Sequence, residues 1–180
     1  MRDHYAVLTR AVREHDGAVV KTIGDAVMAA FTDPADALDA ALAIRADIAT
    51  FNRRIAGEIG PGAADATVAI VVKLGLHCGP CIAVTLNDRL DYFGRTVNLA
   101  ARLQNESLGG DIVLSEALAE EPGIAARLAP LQPATETARV KGFAEPVALR
   151  RIAALAASPA IGDQHGAAGN RGDAEPVESR

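Results

Sequence analysis

The sequence predicts an α+β fold in which a mostly antiparallel sheet carries helices packed on one face. Segments of helical and of β-rich character follow one another in the order helix, hairpin, helix, strand pair, helix, strand. Two turn pairs, Gly24-Asp25 and Asn87-Asp88, lie between β-rich runs, as expected for antiparallel hairpins. The composition is 49% hydrophobic but only 3% aromatic, which predicts an aliphatic core. A chain of 180 residues is long enough for one such domain.

The first helix and the first hairpin are predicted near the start of the chain. Apolar residues at helical spacing indicate a helix over residues 5–14. Two β-rich runs, 18–23 and 26–31, flank a glycine-aspartate turn. Together they predict a hairpin with Asp25 at its tip.

A long amphipathic helix is predicted next. Asp33 is a typical N-cap residue and Pro34 suits the first helical position, so the helix should begin there and run to about Arg54. Its apolar residues keep the spacing of a single buried face. The Gly, Pro and Ala content of residues 57–65 then predicts a loop. Residues 67–77 form the longest β-rich run and predict a strand.

The second half of the chain predicts shorter elements. They are an extended run over residues 82–86 that turns back towards Asp91, a helix over 96–105, a strand over 111–114, helical fragments over 116–131, and a last hairpin of 139–141 with 147–152. Residues 1–155 should therefore form the folded domain. Residues 156–180 are rich in Gly, Pro, Ser, Asn and acidic residues without periodicity, which predicts a disordered tail.

Charge and hydropathy exclude two classes of protein. The net charge of −5 argues against a general nucleic-acid binder, because such proteins depend on neutralising phosphates. No apolar run approaches the roughly 20 residues of a membrane-spanning helix, and the first residues lack the layout of a signal peptide. We therefore expect a cytoplasmic protein.

The segment from Asp91 to Arg102 reads as a strand end, a glycine turn and a helix start, with Thr96 as its cap. Asn98 and Arg102 are four residues apart and therefore share one helix face. A guanidinium offers a planar fork of donors to phosphate oxygens, and an amide can hold a neighbouring sugar oxygen. For an isolated Asn/Arg pair, however, a solvated helix face is the simpler interpretation.

Three separated motifs change that interpretation. The segment 91–102, the hairpin 20–28 and the late motif 140–143 (Val-Lys-Gly-Phe) closely resemble the catalytic domain of class III adenylate/guanylate cyclases of the bacterial type. The resemblance runs from about the first residue to Ile152. It implies the ferredoxin-like sandwich of the nucleotide cyclase catalytic domain.

The resemblance also implies a role for Asp25. An aspartate after glycine at a tight turn is by default only turn chemistry. In the family, the matching aspartate is one of two that hold a pair of divalent metal ions. A carboxylate at a hairpin tip offers the hard oxygen ligands that Mg²⁺ or Mn²⁺ prefers. We therefore expect Asp25 to be a metal ligand.

Lys21 and Asp91 match the two positions that read the purine base in this family. Adenine presents an acceptor at N1 and a donor at its exocyclic amine, so a lysine donor and an aspartate acceptor suit it. Guanine reverses both. A simpler interpretation of Lys21 is that its ammonium extends from an apolar strand to solvent. With the resemblance, the pair implies ATP as the substrate.

The remaining expected site residues bind sugar and phosphate. By resemblance, Asn98 orients the ribose, Arg102 stabilises charge on the α-phosphate, and Lys141 binds the β- and γ-phosphates. The implied reaction converts ATP to 3′,5′-cyclic AMP and pyrophosphate with two metal ions. Sites in this family lie between two subunits of a dimer, so Asp25 should serve a site whose Lys21, Asp91, Asn98, Arg102 and Lys141 belong to its partner.

The chain departs from the family pattern at its beginning. The family carries its other metal aspartate in an earlier strand, and nothing before Tyr5 resembles that motif. We expect the chain to be part of a longer enzyme with fused or upstream regulatory modules, since all six site residues keep their chemical types. The alternative is a catalytically inactive regulatory or dimerisation module of the same fold.

The motif Cys78-Gly79-Pro80-Cys81 raises a further alternative, a thiol-disulfide protein. A thioredoxin-like centre needs the first cysteine at the start of a long helix, whereas the residues after Cys81 read as a strand. A zinc site would lack a fourth ligand, because only His77 is adjacent. Two buried or turn cysteines are the preferred interpretation.

Overall fold

The computed structural model describes residues 2–59, 69–86 and 88–155. Its helices are α1 (Arg2–Glu14), α2 (Pro34–Ile59), α3 (Arg95–Glu106), α4 (Glu116–Ala119) and α5 (Ile124–Leu128), followed by a 3₁₀ turn (Ala129–Leu131). Its strands are β1 (Ala18–Ile23), β2 (Ala26–Ala30), β3 (Leu74–Leu76), β4 (Ile82–Leu86), β5 (Arg89–Phe93), β6 (Ile112–Ser115), β7 (Ala134–Ala138) and β8 (Val147–Ile152). The predicted tail lies outside the described residues.

The strands form one four-stranded sheet and two hairpins. The four-stranded sheet has the order β3-β6-β8-β7, and only the β3–β6 pair is parallel. The β1–β2 and β4–β5 hairpins are antiparallel. This arrangement confirms the predicted α+β class with mostly antiparallel sheets.

Helices cover both faces of the four-stranded sheet, because β6 is buried along its whole length and its side chains alternate between two clusters. Ile112 and Leu114 pack with residues of α2, α4 and α5, including Leu38. Val113 points to the other face, where Leu103 of α3 packs. The prediction that all helices share one face was therefore wrong, and α3 lies on a layer of its own.

Local sequence signals account for the first half of the fold. The side chain of Asp33 accepts a hydrogen bond of 2.8 Å from the Ala35 amide, so α2 has the predicted N-cap. Helix α1 packs across α2 through Leu8 and Ile48, among others. Helix α2 runs beyond the predicted end at Arg54 and includes residues 57–59 of the predicted loop, whose remaining residues lie outside the described part of the chain.

The strand predicted over residues 67–77 is confined to β3. Residues 67 and 68 lie outside the described part of the chain. Beyond them, the side chain of Asn52 bonds both backbone groups of Ile70, at 2.8 Å and 2.9 Å. The carbonyl of Val72 accepts from the Gly110 amide at 2.8 Å. These contacts satisfy the backbone as a ladder would, so pairing begins only at Leu74.

The last hairpin uses a different first strand from the predicted one. Strand β8 pairs with β7, and residues 139–141 lie in the connection between them. Arg151 of β8 makes two hydrogen bonds with the carboxylate of Glu136, at 2.8 Å and 2.9 Å, and Arg150 donates to Thr135 at 2.7 Å. Charged and polar cross-strand pairs, which hydrophobicity does not reveal, set this register.

The helices of the described ranges differ from membrane-spanning segments. None of them combines the length and the apolarity needed to cross a lipid bilayer.

Candidate functional site

Two of the predicted site residues are in direct contact. Strands β1 and β5 lie side by side, and Lys21 Nζ is 2.7 Å from Asp91 Oδ2. The other carboxylate oxygen of Asp91 accepts a hydrogen bond from the Tyr92 amide at 2.8 Å. The ammonium of Lys21 also lies 5.4 Å from the centre of the Phe93 ring. A donor and an acceptor, the two residues that the resemblance assigns to the base, are thus held together.

The electrostatics of this pair favour the charged carboxylate. The hydrogen bond from Lys21 lowers the pKa of Asp91 below its ordinary value, and the Tyr92 amide acts in the same direction against the effect of burial. Asp91 therefore remains an acceptor at neutral pH. Its side chain is 19% exposed and that of Lys21 is 36% exposed, so both groups are accessible from solvent.

A cavity of about 460 Å³ adjoins the pair between β1 and β5. The residues that line it are Ala18, Val19, Val20, Lys21, Thr22, Arg89, Leu90 and Tyr92. It is the size of small-ligand pockets, which are typically about 300–1,000 Å³. Lys21 is the member of the pair that reaches it.

Phe93 lies at the surface rather than in the core. Its side chain is 42% exposed and faces the Lys21 ammonium. An exposed aromatic face beside a cation is a surface on which a flat ring can stack.

Helix α3 carries Asn98 and Arg102 directly after β5. Gly94 has φ 128°, a backbone conformation that favours glycine, and α3 begins at the next residue. Thr96 is not the N-cap, which corrects the prediction. Its hydroxyl instead donates a 2.5 Å hydrogen bond to the Pro80 carbonyl and ties the start of α3 to the loop between β3 and β4.

The two predicted site residues of α3, Asn98 and Arg102, are four positions apart and share one face of the helix. Leu99 and Leu103 are 8% and 0% exposed and anchor the helix on the sheet. Asn98 is exposed and Arg102 is half-buried. Among the described residues, no carboxylate pairs with Arg102. Its guanidinium is therefore available to an anion.

Lys141 lies at the tip of a tight turn. Val140 is buried, and its carbonyl accepts a 3.1 Å hydrogen bond from the Phe143 amide. Gly142, with φ 88°, provides the positive φ that a type II turn requires at its third residue. Both ends of the turn are therefore fixed while Lys141 projects into solvent.

Asp25 stands apart from the other predicted site residues. It is exposed at the tip of the β1–β2 hairpin, next to Gly24, whose carbonyl accepts a hydrogen bond from the Tyr5 hydroxyl. Within the described residues, no hydrogen bond or ion pair joins Asp25 to Lys21, Asp91 or the residues of α3. One chain thus groups Lys21 with Asp91, while Asp25 faces outwards.

The described residues do not by themselves form a metal centre. No group of three or more His, Cys, Asp or Glu side chains within the described ranges could enclose an ion. Asp25 supplies one exposed carboxylate, a suitable hard ligand for a divalent ion, but it belongs to no such group among the described residues. They therefore do not account for a two-ion site.

Two contacts at the site were missed in the sequence. Arg95, the first residue of α3, lies over the Phe143 ring with its guanidinium carbon 5.3 Å from the ring centre. The tie between Thr96 and Pro80 was the other. The positive end of the helix dipole disfavours a cation in the first turn of a helix. The presence of Arg95 there was the available sequence signal for its contact with Phe143.

Cys78 and Cys81 are free thiols. Burial raises the pKa of Cys78, and its hydrogen bond of 3.5 Å to Glu121 adds to that effect. Cys81 is exposed and is followed at once by β4. Without a helix N-terminus to stabilise a thiolate, the arrangement differs from a thioredoxin-like centre. The motif forms a loop that supports α3 through Pro80.

Residues 1–121 match the family described as the adenylate and guanylate cyclase catalytic domain. Human retinal guanylyl cyclase 1 is 31% identical over 119 residues, which is 60% of this chain and 10% of that protein. An adenylate cyclase of Mycosarcoma maydis is 33% identical over 131 residues, which is 67% of this chain and 5% of that protein. The chain thus spans a tenth or less of these relatives.

Known structures give the same fold. An adenylate/guanylate cyclase/hydrolase from Silicibacter pomeroyi superposes with a TM-score of 0.66 at 24% identity, covering 81% of this chain and 76% of that one. The guanylate cyclase domain of a Catenaria anguillulae protein, whose structure contains GTP, superposes with a TM-score of 0.62 at 22% identity, covering 85% and 81%. Both support the ferredoxin-like cyclase fold predicted from the sequence.

Proposed function

The chain belongs to the adenylate and guanylate cyclase catalytic domain family, and on that premise we propose that it is an adenylate cyclase. The reaction is the conversion of ATP to 3′,5′-cyclic AMP and pyrophosphate. Because ATP is made inside the cell, this reaction would take place in the cytoplasm and supply a signalling nucleotide.

The contact between Lys21 and Asp91 carries the choice of ATP over GTP. Lys21 Nζ and Asp91 Oδ2 satisfy each other at 2.7 Å. Adenine can replace both partners at once, because its N1 accepts from the ammonium and its amine donates to the carboxylate. With guanine, the ammonium would face a donor and the carboxylate would face an acceptor. Each unpaired group would cost about 1–3 kcal/mol. The exposed Phe93 offers a surface for the base to stack on.

Sugar and phosphate are assigned to α3 and the turn that follows β7. Asn98 is proposed to hold the ribose, and Arg102, which has no carboxylate partner among the described residues, to hold the α-phosphate as charge develops there. Lys141, exposed at its turn, is proposed to bind the β- and γ-phosphates. Pyrophosphate then leaves as the ribose 3′-oxygen bonds to the α-phosphorus.

A divalent ion, Mg²⁺ or Mn²⁺, is proposed to be required. When bound, it would neutralise phosphate charge and favour the deprotonated 3′-hydroxyl. Asp25 would be one of its ligands and substrate phosphate oxygens would be others. A second ion would need further ligands, since no group of three or more His, Cys, Asp or Glu side chains among the described residues could hold an ion.

We further propose that the active unit is a homodimer. Asp25 is exposed at the tip of the hairpin that carries Lys21, and no hydrogen bond or ion pair among the described residues joins it to Lys21 or Asp91. One chain would therefore supply Asp25 to a site whose base, ribose and phosphate contacts come from its partner. Each dimer would then contain two equivalent composite sites.

The test is formation of cyclic nucleotide by the purified chain with Mn²⁺ and either ATP or GTP. We expect cyclic AMP from ATP, with a turnover lowered about 10²–10³-fold by Arg102→Ala, because the substitution removes a donor aimed at developing charge. Arg13→Ala, an exposed arginine on α1, is the matched control and should leave turnover unchanged. Cyclic GMP as the main product would contradict the ATP assignment.

The lack of a group of three or more metal-ligating side chains among the described residues favours one alternative, a regulatory or dimerisation module that binds nucleotide without turnover. That reading predicts saturable ATP binding, weakened by Arg102→Ala, with no cyclic nucleotide from this chain or from one extended upstream. Product from the extended chain alone would instead identify an enzyme that needs residues outside these 180.

A further inference from the structure

The contact between Arg95 and Phe143 joins two elements that the proposed function assigns to phosphate. Arg95 is the first residue of α3, the helix that carries Asn98 and Arg102. Phe143 closes the turn that carries Lys141. The guanidinium carbon lies 5.3 Å from the ring centre, within the distance at which a cation is attracted to an aromatic face.

Phe143 is held firmly on its own side of the contact. Its amide is bonded to the Val140 carbonyl at 3.1 Å, which closes the turn. Its side chain packs against the buried cluster that includes Leu99 and Leu103 of α3. The ring therefore has a fixed position relative to α3. The backbone of Lys141, in the same turn, is held relative to α3 as well.

The position of Arg95 is not explained by helix electrostatics. A cation in the first turn is disfavoured by the positive end of the helix dipole, and the first turn of α3 contains no acidic residue. Among the described residues, the contact that Arg95 makes is the one with Phe143. The ring face, rather than a carboxylate, therefore orients this guanidinium.

We propose that Arg95 and Phe143 form a clamp that positions Lys141 relative to Asn98 and Arg102. The clamp sets the separation between the cation for the β- and γ-phosphates and the cation for the α-phosphate. Arg95 and Phe143 touch no reacting atom, so both are positioning residues. The inference rests on the proposed function, because it concerns the same triphosphate site.

A double-mutant cycle tests the clamp. Arg95→Met removes the charge but keeps the aliphatic stem, and Phe143→Leu keeps an apolar group in the cluster but removes the aromatic face. We expect each substitution to raise KM for ATP and the inhibition constant of pyrophosphate about 2–5-fold with little change in kcat, since Lys141 would bind the leaving group equally before and during reaction. The double variant should have a KM and an inhibition constant no higher than those of either single variant.

Conservative variants separate positioning from folding. Arg95→Lys and Phe143→Trp retain a cation over a ring and should keep KM close to the parent value. Binding of adenosine, which has no phosphate, should be unchanged in all variants. Arg54→Met is the matched control, because Arg54 lies over Phe51 at a similar 5.4 Å on α2 and should leave KM unchanged.

The clamp is overturned if the effects of the two substitutions multiply in the double variant, or if Phe143→Trp weakens pyrophosphate as much as Phe143→Leu does. A parent chain that neither turns over nor binds ATP would overturn the proposed function, and the clamp with it. A parent that makes cyclic AMP but shows independent effects of the two substitutions overturns the clamp alone.

Discussion

Lys21 Nζ lies 2.7 Å from Asp91 Oδ2, although the two residues are 70 positions apart in the chain. The pair brings a cationic donor and an anionic acceptor to the border between two hairpins, beside the exposed ring of Phe93. A purine with complementary edges can take the place of each partner. Under the proposed function, the positions of donor and acceptor in this pair would decide which purine is preferred.

The first prediction concerns base selectivity. Exchanging the two groups in the variant Lys21→Glu/Asp91→Lys keeps an ion pair but reverses the donor and the acceptor. We expect the ratio of kcat/KM for GTP to that for ATP to rise at least about tenfold, since each mismatched polar group costs about 1–3 kcal/mol. Steady-state assays with both nucleotides measure the ratio.

The two single variants serve as controls for the exchange. Lys21→Glu and Asp91→Lys each place like charges together, so each should lose activity with both nucleotides. An exchanged protein that keeps its ATP preference, with a melting temperature close to that of the parent, would show that the base is read elsewhere.

The second prediction tests the composite site. Asp25→Asn and Arg102→Ala should each nearly abolish cyclic AMP formation when assayed alone. After mixing in equal amounts, half of the dimers should be heterodimers with one complete site of two. Activity should therefore recover to about a quarter of the parent value.

The mixing experiment has an internal control. The Asp25→Asn variant alone, taken through the same mixing procedure, should remain inactive at every protein concentration. No recovery in a mixture whose heterodimers are demonstrated by native mass spectrometry would mean that both residues serve a site within one chain.

The third prediction concerns a buried charge network at the end of α3. Asp111 accepts hydrogen bonds from the Ser107 hydroxyl and the Gly109 amide, and it pairs with Arg151, whose side chain is 14% exposed. Asp111→Asn should lower the free energy of unfolding by about 1.5–3 kcal/mol, because it removes the charge that strengthens the hydrogen bonds to this buried carboxylate, while Arg151 keeps its hydrogen bonds to Glu136. Urea unfolding followed by circular dichroism measures the loss.

An exposed ion pair provides the comparison. Arg127 and Asp39 lie 3.3 Å apart with side chains that are 45% and 34% exposed. Asp39→Asn should cost no more than about 1 kcal/mol. Equal losses for the two substitutions would contradict the role given to burial.

The fourth prediction is the pH dependence that this network causes. Burial alone would raise the pKa of Asp111, but the hydrogen bonds from Ser107, the Leu108 amide and Arg151 outweigh it and lower the pKa. A carboxylate with a folded pKa below the unfolded value of about 3.9 contributes stability above that pH and loses it as the pH falls towards the folded value. The parent should therefore lose stability below about pH 4 more steeply than Asp111→Asn.

Urea midpoints between about pH 3 and pH 6 measure this difference. One titrating group changes the free energy of unfolding by at most about 1.4 kcal/mol per pH unit. The difference in stability between the parent and Asp111→Asn should therefore shrink by no more than this amount for each unit that the pH falls. Parallel curves over this range would mean that Asp111 has an ordinary pKa.

Elements with strong local signals were predicted closely. Helix α2 begins at Pro34 with Asp33 as its cap, and the first hairpin turns at Gly24 and Asp25. In each case neighbouring residues fix the backbone. The strand predicted over 67–77 is confined to β3, and residues 139–141 form a connection rather than a strand. Asn52 and the β7–β8 cross-strand pairs decide the pairing there, and these contacts join residues that are distant in the sequence.

The sequence by itself determined the cyclase family, the α+β class and the identity of the six predicted site residues, because motif spacing and residue chemistry are local properties. Only the tertiary structure decided that Lys21 meets Asp91, that α3 lies on its own face of the sheet, and that Arg95 lies over Phe143. Each of these depends on which strands become neighbours. That choice is made by packing and cross-strand charge pairs between distant residues, which no short stretch of the sequence contains.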